Sequence, residues 1–380
     1  MKPFIYKISP SNLKVEFAKL GVDEVGSEIM NKKSQDFIFF CKNLSLSAMH
    51  ILKQEALSVG ADLATPKDAI LCQKSFYDAI LLGSLSQMQR IAQKCLSQPF
   101  GLKSLAKGLK THLRSFSFNP KIMAILNITP DSFYQGSRFD FQGAIDEIEK
   151  YIQMGVEMID IGGASSRPGS KILDHTQEMQ RLQPLLDEVA HRGLTQKVIF
   201  SIDTYNYQTA DYALSKGFKI LNDILGFSDE RLLEVCAKYN ASAVLMHSRG
   251  TPQTMQDLVE YDCLFAEVDE FFEKGIERMG KYGIKDVILD IGFGFAKKKE
   301  QNLTLIKNLS HFKRFALPLL VGASRKSTIG EILNAEYVDE RLYGTLALHQ
   351  IALQNGADIL RVHDVGAHQD MVKVLKAMQN

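Results

Sequence analysis

The sequence predicts an α/β fold: a (β/α)8 or TIM-type barrel over residues 116–380, preceded by a small α/β domain over residues 1–115. Three observations lead there. From residue 121 onward, short β-branched runs alternate with longer stretches of helical apolar spacing, the pattern of parallel βα units. The alternation recurs eight times in about 260 residues, the size and count of a closed barrel. The candidate strands also end on polar side chains, as they do when all the βα loops share one functional face. An open doubly wound sheet is the competing arrangement for the same alternation.

Taken in order, the barrel strands are expected at 121–128 (KIMAILNI), 158–163 (MIDIGG), 197–204 (KVIFSIDT), 219–223 (KILND), 242–247 (SAVLMH), 287–292 (VILDIG), 318–324 (PLLVGAS) and 359–364 (ILRVHD). The helices between and after them are expected at 141–155, 178–193, 207–217, 229–240, 263–283, 299–313, 341–356 and 367–379. Leu182, Leu185, Leu186 and Val189 show the three-and-four spacing of a helix face turned inward. Gly155, Gly193, Gly217, Gly283 and Gly356 stand where helices stop, because glycine accepts the left-handed backbone there. Upstream, 38–42 (FIFFC), 69–72 (AILC) and 79–83 (AILLG) read as strands, and 46–58, 85–97 and 101–113 as helices. The stretch SFSFNPK (115–121), with Pro120, reads as the junction between the two domains.

Composition narrows the class. The 45 Lys and Arg nearly cancel the 44 Asp and Glu, leaving a net charge of +1. Such a balance argues against a chain that coats nucleic acid or an anionic membrane, and leaves room for a small anionic ligand. Five scattered cysteines without a CxxC pair suit a reducing cytoplasm better than a disulfide framework. No apolar window reaches the ~18 residues of a membrane span, and the N-terminus does not read as a secretion signal.

The strand ends carry Asn127, Asp160, Asp203, Asn222 with Asp223, His247, Asp290, Ser324 and Arg361 through Asp364. Turn and capping chemistry accounts for any one of them. It does not account for Asp203, Asp290, Arg361 and His363, which sit within apolar runs where an unpartnered polar group is costly. A polar ligand at the barrel mouth explains the whole set. The loops at 127–139 and 162–170 (GGASSRPGS) are polar and turn-rich, suited to covering such a ligand. GASRKS (322–327) and RVHD (361–364) follow strands seven and eight, where barrels commonly hold phosphate, and supply Arg, Lys, His and hydroxyl donors. A glycosidase pair built on Asp203 and Asp290 would leave these basic clusters unexplained. No zinc-type Cys/His spacing, GxGxxG or GxxxxGK[ST] occurs; an Mg2+ held mainly by phosphate needs only one or two protein oxygens, and Asn127 is a candidate.

The ordered set ILNITPDSF (125–133), DIGGASSRPG (160–169), SIDTY (201–205), ND (222–223), MH (246–247), LDIGFGFAK (289–297), GASRKS (322–327) and RVHDV (361–365) resembles the dihydropteroate synthases. The resemblance covers nearly all of 121–380. It implies a (β/α)8 barrel that joins para-aminobenzoate to hydroxymethyl-dihydropterin diphosphate, giving dihydropteroate and diphosphate in folate synthesis. By similarity, Asp203, Asn222, Asp290 and Lys326 line the pterin slot, and Met246 packs on the ring. Asn127, Arg167, Arg361 and His363 hold the diphosphate, with Mg2+ on Asn127. Phe133, Ser166, Pro168, Phe295 and Ser324 flank para-aminobenzoate, and Asp131 joins Phe133 in the first lid. The family chemistry it implies is largely dissociative, the diphosphate leaving before the arylamine attacks. It also implies a homodimer.

This chain departs from the family pattern at Ala164 and Ser166, where Glu and Thr are usual, at Ile291, where Pro is common, and at Tyr134 to Ser137. Two other readings compete: a pterin-dependent methyltransferase on the same barrel, and a pterin-binding protein that has lost catalysis. The SSRPG loop and RVHD end speak against the first, since a methyl donor needs no diphosphate site. For the N-terminal domain a structural or dimer-supporting role is the expectation.

Overall fold

The structure is a computed structural model and describes residues 13–114, 117–128, 141–164, 169–170 and 173–378. The chain divides into two compact units, Met1–Ser115 with Leu375–Asn380, and Phe116–Val374.

In the first unit, α1 (Leu13–Lys19) and α2 (Glu24–Ser34) precede β1 (Asp36–Ser45), α3 (Leu46–Leu57), β2 (Asp62–Ala64), β3 (Phe76–Ser84), α4 (Leu85–Cys95) and α5 (Leu102–His112). The strands form one antiparallel sheet in the order β1-β3-β2, with Phe39 opposite Leu81 and Leu81 opposite Leu63. Alternation sends Leu63, Tyr77, Ala79 and Leu81 into a core with Met49, Leu52, Met88 and Ile91. Each helix after a strand is capped where it starts. Ser45 Oγ accepts from Ala48 N at 3.2 Å, and Ser84 with Gln87 forms a capping box. The strand expected at 69–72 is instead a 3-10 turn (Lys67–Leu71) closed by Cys72 in the left-handed conformation. Asp68 and Lys74, joined by a 3.2 Å ion pair, flank the segment, and its Ile70 and Leu71 face solvent, so the apolar letters are not a buried strand.

The second unit is a parallel barrel. In order it runs β4 (Lys121–Asn127), α6 (Phe141–Gln153), β5 (Met158–Gly162), α7 (His175–His191), β6 (Ile199–Asp203), α8 (Tyr207–Ser215), β7 (Ile220–Asp223), α9 (Glu230–Lys238), β8 (Ser242–Met246), α10 (Leu264–Lys281), β9 (Val287–Asp290), α11 (Lys299–Lys307), β10 (Leu319–Val321), α12 (Ser327–Leu333), α13 (Leu342–Gln354), β11 (Ile359–Val362) and α14 (Val365–Ala377). Each strand pairs with the next, and β11 closes the ring on β4 with Leu360 opposite Ile122. Closure removes the open-sheet alternative. The helix expected at 299–313 is α11 followed by a separate 3-10 turn (Leu309–Phe315), and seven-residue α12 is too short to show an apolar period.

One layer of apolar side chains plugs the barrel: Met123, Met158, Ile220, Val244, Ile288, Leu320 and Ile359. Side chains alternate along a strand, so the next residues to face inward lie two positions further on. Those are Ile125, Asp160, Asn222, Met246, Asp290, Gly322 and Arg361. The period of two thus converts a dry plug into a polar cup within one step. Outside, Leu182, Leu185, Leu186 and Val189 of α7 are buried, as their spacing requires. No helix among the described residues is long and apolar enough to cross a membrane.

Candidate active site

At the floor of the cup Arg361 lies between two carboxylates. Its Nε donates to Asp160 Oδ2 at 2.6 Å and its Nη2 to Asp203 Oδ2 at 2.6 Å. Asn222 Nδ2 donates to the same Asp160 oxygen at 3.2 Å. Asp160 is wholly buried, and its Oδ1 has no hydrogen-bond partner among the described residues. Burial pushes the Asp203 carboxyl up to about 7; Arg361 opposes that rise and Asp160 adds to it. Burial also works against the Arg361 charge, yet Asp160 and Asp203 outweigh it and hold the guanidinium pKa above its ordinary range. Across the cup, burial raises the Asp290 carboxyl while Lys326 opposes the rise, and Asp290 Oδ1 accepts from Gly292 N at 2.8 Å. Burial lowers Lys326 to about 8, with Asp290 acting the other way. Lys326 Nζ donates to Phe293 O and lies 4.4 Å from the centre of the Phe295 ring.

Met246 and Phe295 share an apolar cluster with Ile224, Met255 and Ala296, against which Tyr205 packs. Asn127 is half-buried at the end of β4; a Cβ on Gly162 would stand 3.4 Å from its Oδ1. Ser324 Oγ lies 3.0 Å from His363 Nδ1 and accepts from His363 N at 3.2 Å, joining the loops after β10 and β11. Phe133, Ser166, Arg167 and Pro168, like Asp131, lie outside the described residues. The structure therefore brings Asp203, Asn222, Met246, Asp290, Phe295, Ser324, Lys326, Arg361 and His363 to one end of the barrel, with Asn127 at the same end of its strand.

Two strand-end residues face elsewhere. Asp223 accepts from Leu225 N at 2.9 Å and Phe227 N at 2.7 Å, so it shapes the turn after β7. His247 is buried against Lys297, whose Nζ lies 2.9 Å from His247 Nδ1 and donates to His247 O (3.2 Å), Gly292 O (3.1 Å) and Phe295 O (3.0 Å). Lys297 is thus the clamp of the loop carrying Phe295; burial lowers it to about 7. In the sequence it closes LDIGFGFAK (289–297), one of the segments that carry the resemblance, with no role of its own assigned. Lys298 is exposed and Lys299 half-buried, whereas Lys297 closes the apolar FGFA segment, which is the available signal. Arg325 also turns away from the cup: it forks onto Asp364 at 2.8 and 2.6 Å and pairs with Asp339.

Glu178 was missed altogether. It is wholly buried on α7, and its Oε2 accepts from Thr204 Oγ1 (2.9 Å), Asn206 Nδ2 (2.8 Å) and Thr209 Oγ1 (2.8 Å). It anchors the segment that leaves Asp203. Its place four residues before Leu182 puts it on the helix face that the apolar spacing turns inward, which is the available signal.

The cup offers carboxylate and amide acceptors and donors for the edges of a flat polar ring, a methionine for its face, and cationic groups beside them for an anionic substituent. The model of the pterin-binding enzymes matches residues 123–363. A bifunctional dihydropteroate synthase/dihydropteroate reductase of Helicobacter pylori is 51% identical over 376 residues, 99% of each chain. A dihydropteroate synthase of Synechocystis is 43% identical over 263 residues, 68% of this chain and 89% of that one. Among solved structures, the Yersinia pestis dihydropteroate synthase in complex with a sulfonamide drug has a TM-score of 0.64 and 36% identity, covering 69% of this chain and 94% of that one. The chain belongs to the pterin-binding enzymes and, within them, to the dihydropteroate synthases. It is a transferase that condenses hydroxymethyl-dihydropterin diphosphate with para-aminobenzoate to give dihydropteroate and diphosphate.

Proposed function

We propose that the cup carries out this condensation with a division of labour among its residues. The observation that supports it most is the inward-facing row Asp160, Asn222, Met246, Asp290 and Arg361, one step above the plug, with Asp203 bound to Arg361. Asp203, Asn222, Asp290 and Lys326 hydrogen-bond the edges of the pterin, and Met246 packs on its face. Asp160 Oδ1, buried and without a partner among the described residues, is a further acceptor for the ring. Arg361 and His363 receive the diphosphate with Asn127 and Arg167; among the described residues the Arg361 contacts leave its Nη1 for an anion. Para-aminobenzoate lies near Ser324 and Phe295, flanked by Phe133, Ser166 and Pro168.

The C–O bond to diphosphate breaks, and its electron pair leaves with the diphosphate. The arylamine nitrogen then bonds the electron-poor methylene and gives up a proton. Buried carboxylates on the pterin side and fixed cations on the diphosphate side stabilise that separation of charge, and a dry cup strengthens both. Asp203, Lys326, Arg361 and His363 are the catalytic residues on this reading.

No group of three His, Cys, Asp or Glu among the described residues could hold a metal, so a divalent ion here would be held chiefly by the diphosphate. The Asn127 side-chain oxygen fits the single protein oxygen that such an Mg2+ accepts. Mg2+, when bound, neutralises charge on the departing diphosphate. A homodimer and a cytoplasmic location complete the reading, on family grounds and on five free cysteines.

Asp203→Asn and Lys326→Ala are expected to stay folded by circular dichroism and to lose about 100-fold or more in kcat/KM, the scale of removing one preorganised polar group. Activity retained in both contradicts the assignment.

The Helicobacter pylori relative matches 99% of this chain, the first unit included, and its name carries a reductase. We therefore propose a second activity, reduction of dihydropteroate to tetrahydropteroate by an external two-electron donor, residing in the full-length chain. Dihydropteroate incubated with the protein and a reduced nicotinamide or flavin should gain two hydrogens by mass. No gain with either donor contradicts it.

A further inference from the structure

The loops after β10 and β11 carry Ser324, Lys326 and His363, and three links join them. Two are the Ser324–His363 contact and the Arg325–Asp364 fork. The third runs through two histidines that the proposed chemistry does not use. His349 of α13 and His368 of α14 are both wholly buried. Ala323 N lies 3.2 Å from His349 Nε2, His349 Nδ1 lies 2.9 Å from His368 Nε2, and His368 Nδ1 lies 2.7 Å from Asp364 O.

The two ends of this chain are backbone groups whose roles cannot change. Asp364 O only accepts, so His368 carries its proton on Nδ1. Ala323 N–H only donates, so His349 Nε2 is a bare acceptor. The middle bond is then made if His349 Nδ1–H donates to His368 Nε2. One arrangement satisfies all three bonds: both rings neutral, both protonated on Nδ1. Adding a proton to either ring breaks a bond. Burial lowers both pKa values; His368, Lys326 and His363 push His349 further down, while Asp364 and its carbonyl oppose the fall at His368.

A leucine pair would fill the same space but leave the buried Ala323 N–H unsatisfied. Ser324 follows Ala323 directly, and the next residue, Arg325, has a left-handed φ of 58° that L-residues rarely adopt. This loop needs holding from outside.

We propose that the His349–His368 pair is a positioning element for the condensation, fixing the loop of Ser324 and Lys326 against the loop of His363. It rests on the assignment of those three side chains to the substrates. Neither histidine touches substrate; both act through the loops they join.

Two measurements on the full-length protein test it. Long-range 1H–15N correlation of the histidine rings at pH 7.5, assigned with His349→Gln and His368→Gln, should show both rings neutral with the proton on Nδ1. A ring protonated on Nε2, or doubly, overturns the proposal. In kinetics, His349→Leu should lower kcat about tenfold or more, as small misplacements of reacting groups do, with the KM for pterin diphosphate changed less than about threefold. His349→Gln, which can accept from Ala323 N–H and donate to His368, should stay within about threefold of wild type. A folded His349→Leu within threefold of wild-type kcat overturns it, and so does a His349→Gln as impaired as the leucine variant. If the leucine variant does not fold, the glutamine variant and the ring protons still decide. Asp203→Asn and Lys326→Ala, run alongside, separate the two failures: activity retained there indicts the site assignment, and loss there with an unaffected His349→Leu indicts this proposal alone.

Discussion

Asp203 and Lys326 approach each other in pKa from opposite sides, because burial penalises whichever form is charged. On the proposed assignment Asp203 accepts from the ring and pairs with Arg361 as the carboxylate, a form it loses as pH falls through about 7. On the same assignment Lys326 acts as a charged donor, and it loses that charge as pH rises through about 8. The expected kcat/KM profile for pterin diphosphate is therefore a bell between these limbs, with apparent values belonging to the coupled site. Lys326→Arg keeps its charge to far higher pH, so its basic limb should move up by more than one unit while the acid limb stays. A basic limb that does not move would mean another group sets it.

At the scale of elements, the loop after β9 shows how backbone and site depend on each other. Gly292 has φ +63°, and a Cβ there would stand 1.9 Å from His247 O. Lys297 draws the carbonyls of Gly292, Phe295 and His247 around one ammonium. Gly292→Ala should cost about 3 kcal/mol or more by urea unfolding, the scale of a strained left-handed residue plus a backbone clash. It should also raise the KM for para-aminobenzoate, since Phe295 rides on this loop. An unchanged stability would mean that the loop has room to relax.

The eight strands were legible because each repeats a short β-branched run with a polar end, and the period of two then places the cup above the plug. The first-unit segment 69–72 was not legible, because four apolar letters do not reveal whether they face a core or solvent. Lys297 is told apart from Lys298 and Lys299 only by its burial against His247 and the carbonyls it gathers.

Across the whole molecule, what the sequence could not show is pairing over distance. Arg361 and Asp160 are 201 positions apart, and only barrel closure brings them to 2.6 Å. By resemblance Arg361 holds an anion; in the structure it already holds two carboxylates, a link that on the proposed assignment joins the diphosphate side of the cup to the pterin side. Arg325 and Lys326 are neighbours in a basic cluster, yet one braces Asp364 and the other reaches Phe293 O in the cup. Burial and ring closure decide such divergences, and neither is written in local spacing. The first unit is the other gap: nothing in its composition suggested more than a structural role, and it is the end-to-end match to a bifunctional relative that raises a second activity.

Diphosphate release and pteroate formation, followed together, test most directly whether the cup performs the condensation. Full-length protein would be mixed with hydroxymethyl-dihydropterin diphosphate and Mg2+, with and without para-aminobenzoate, and the product identified by mass, with Asp203→Asn in parallel. One dihydropteroate for each diphosphate released is expected when para-aminobenzoate is present, and loss of both in the variant. Pterin diphosphate that binds without yielding dihydropteroate, or a variant that turns over like wild type, would contradict that role of the cup.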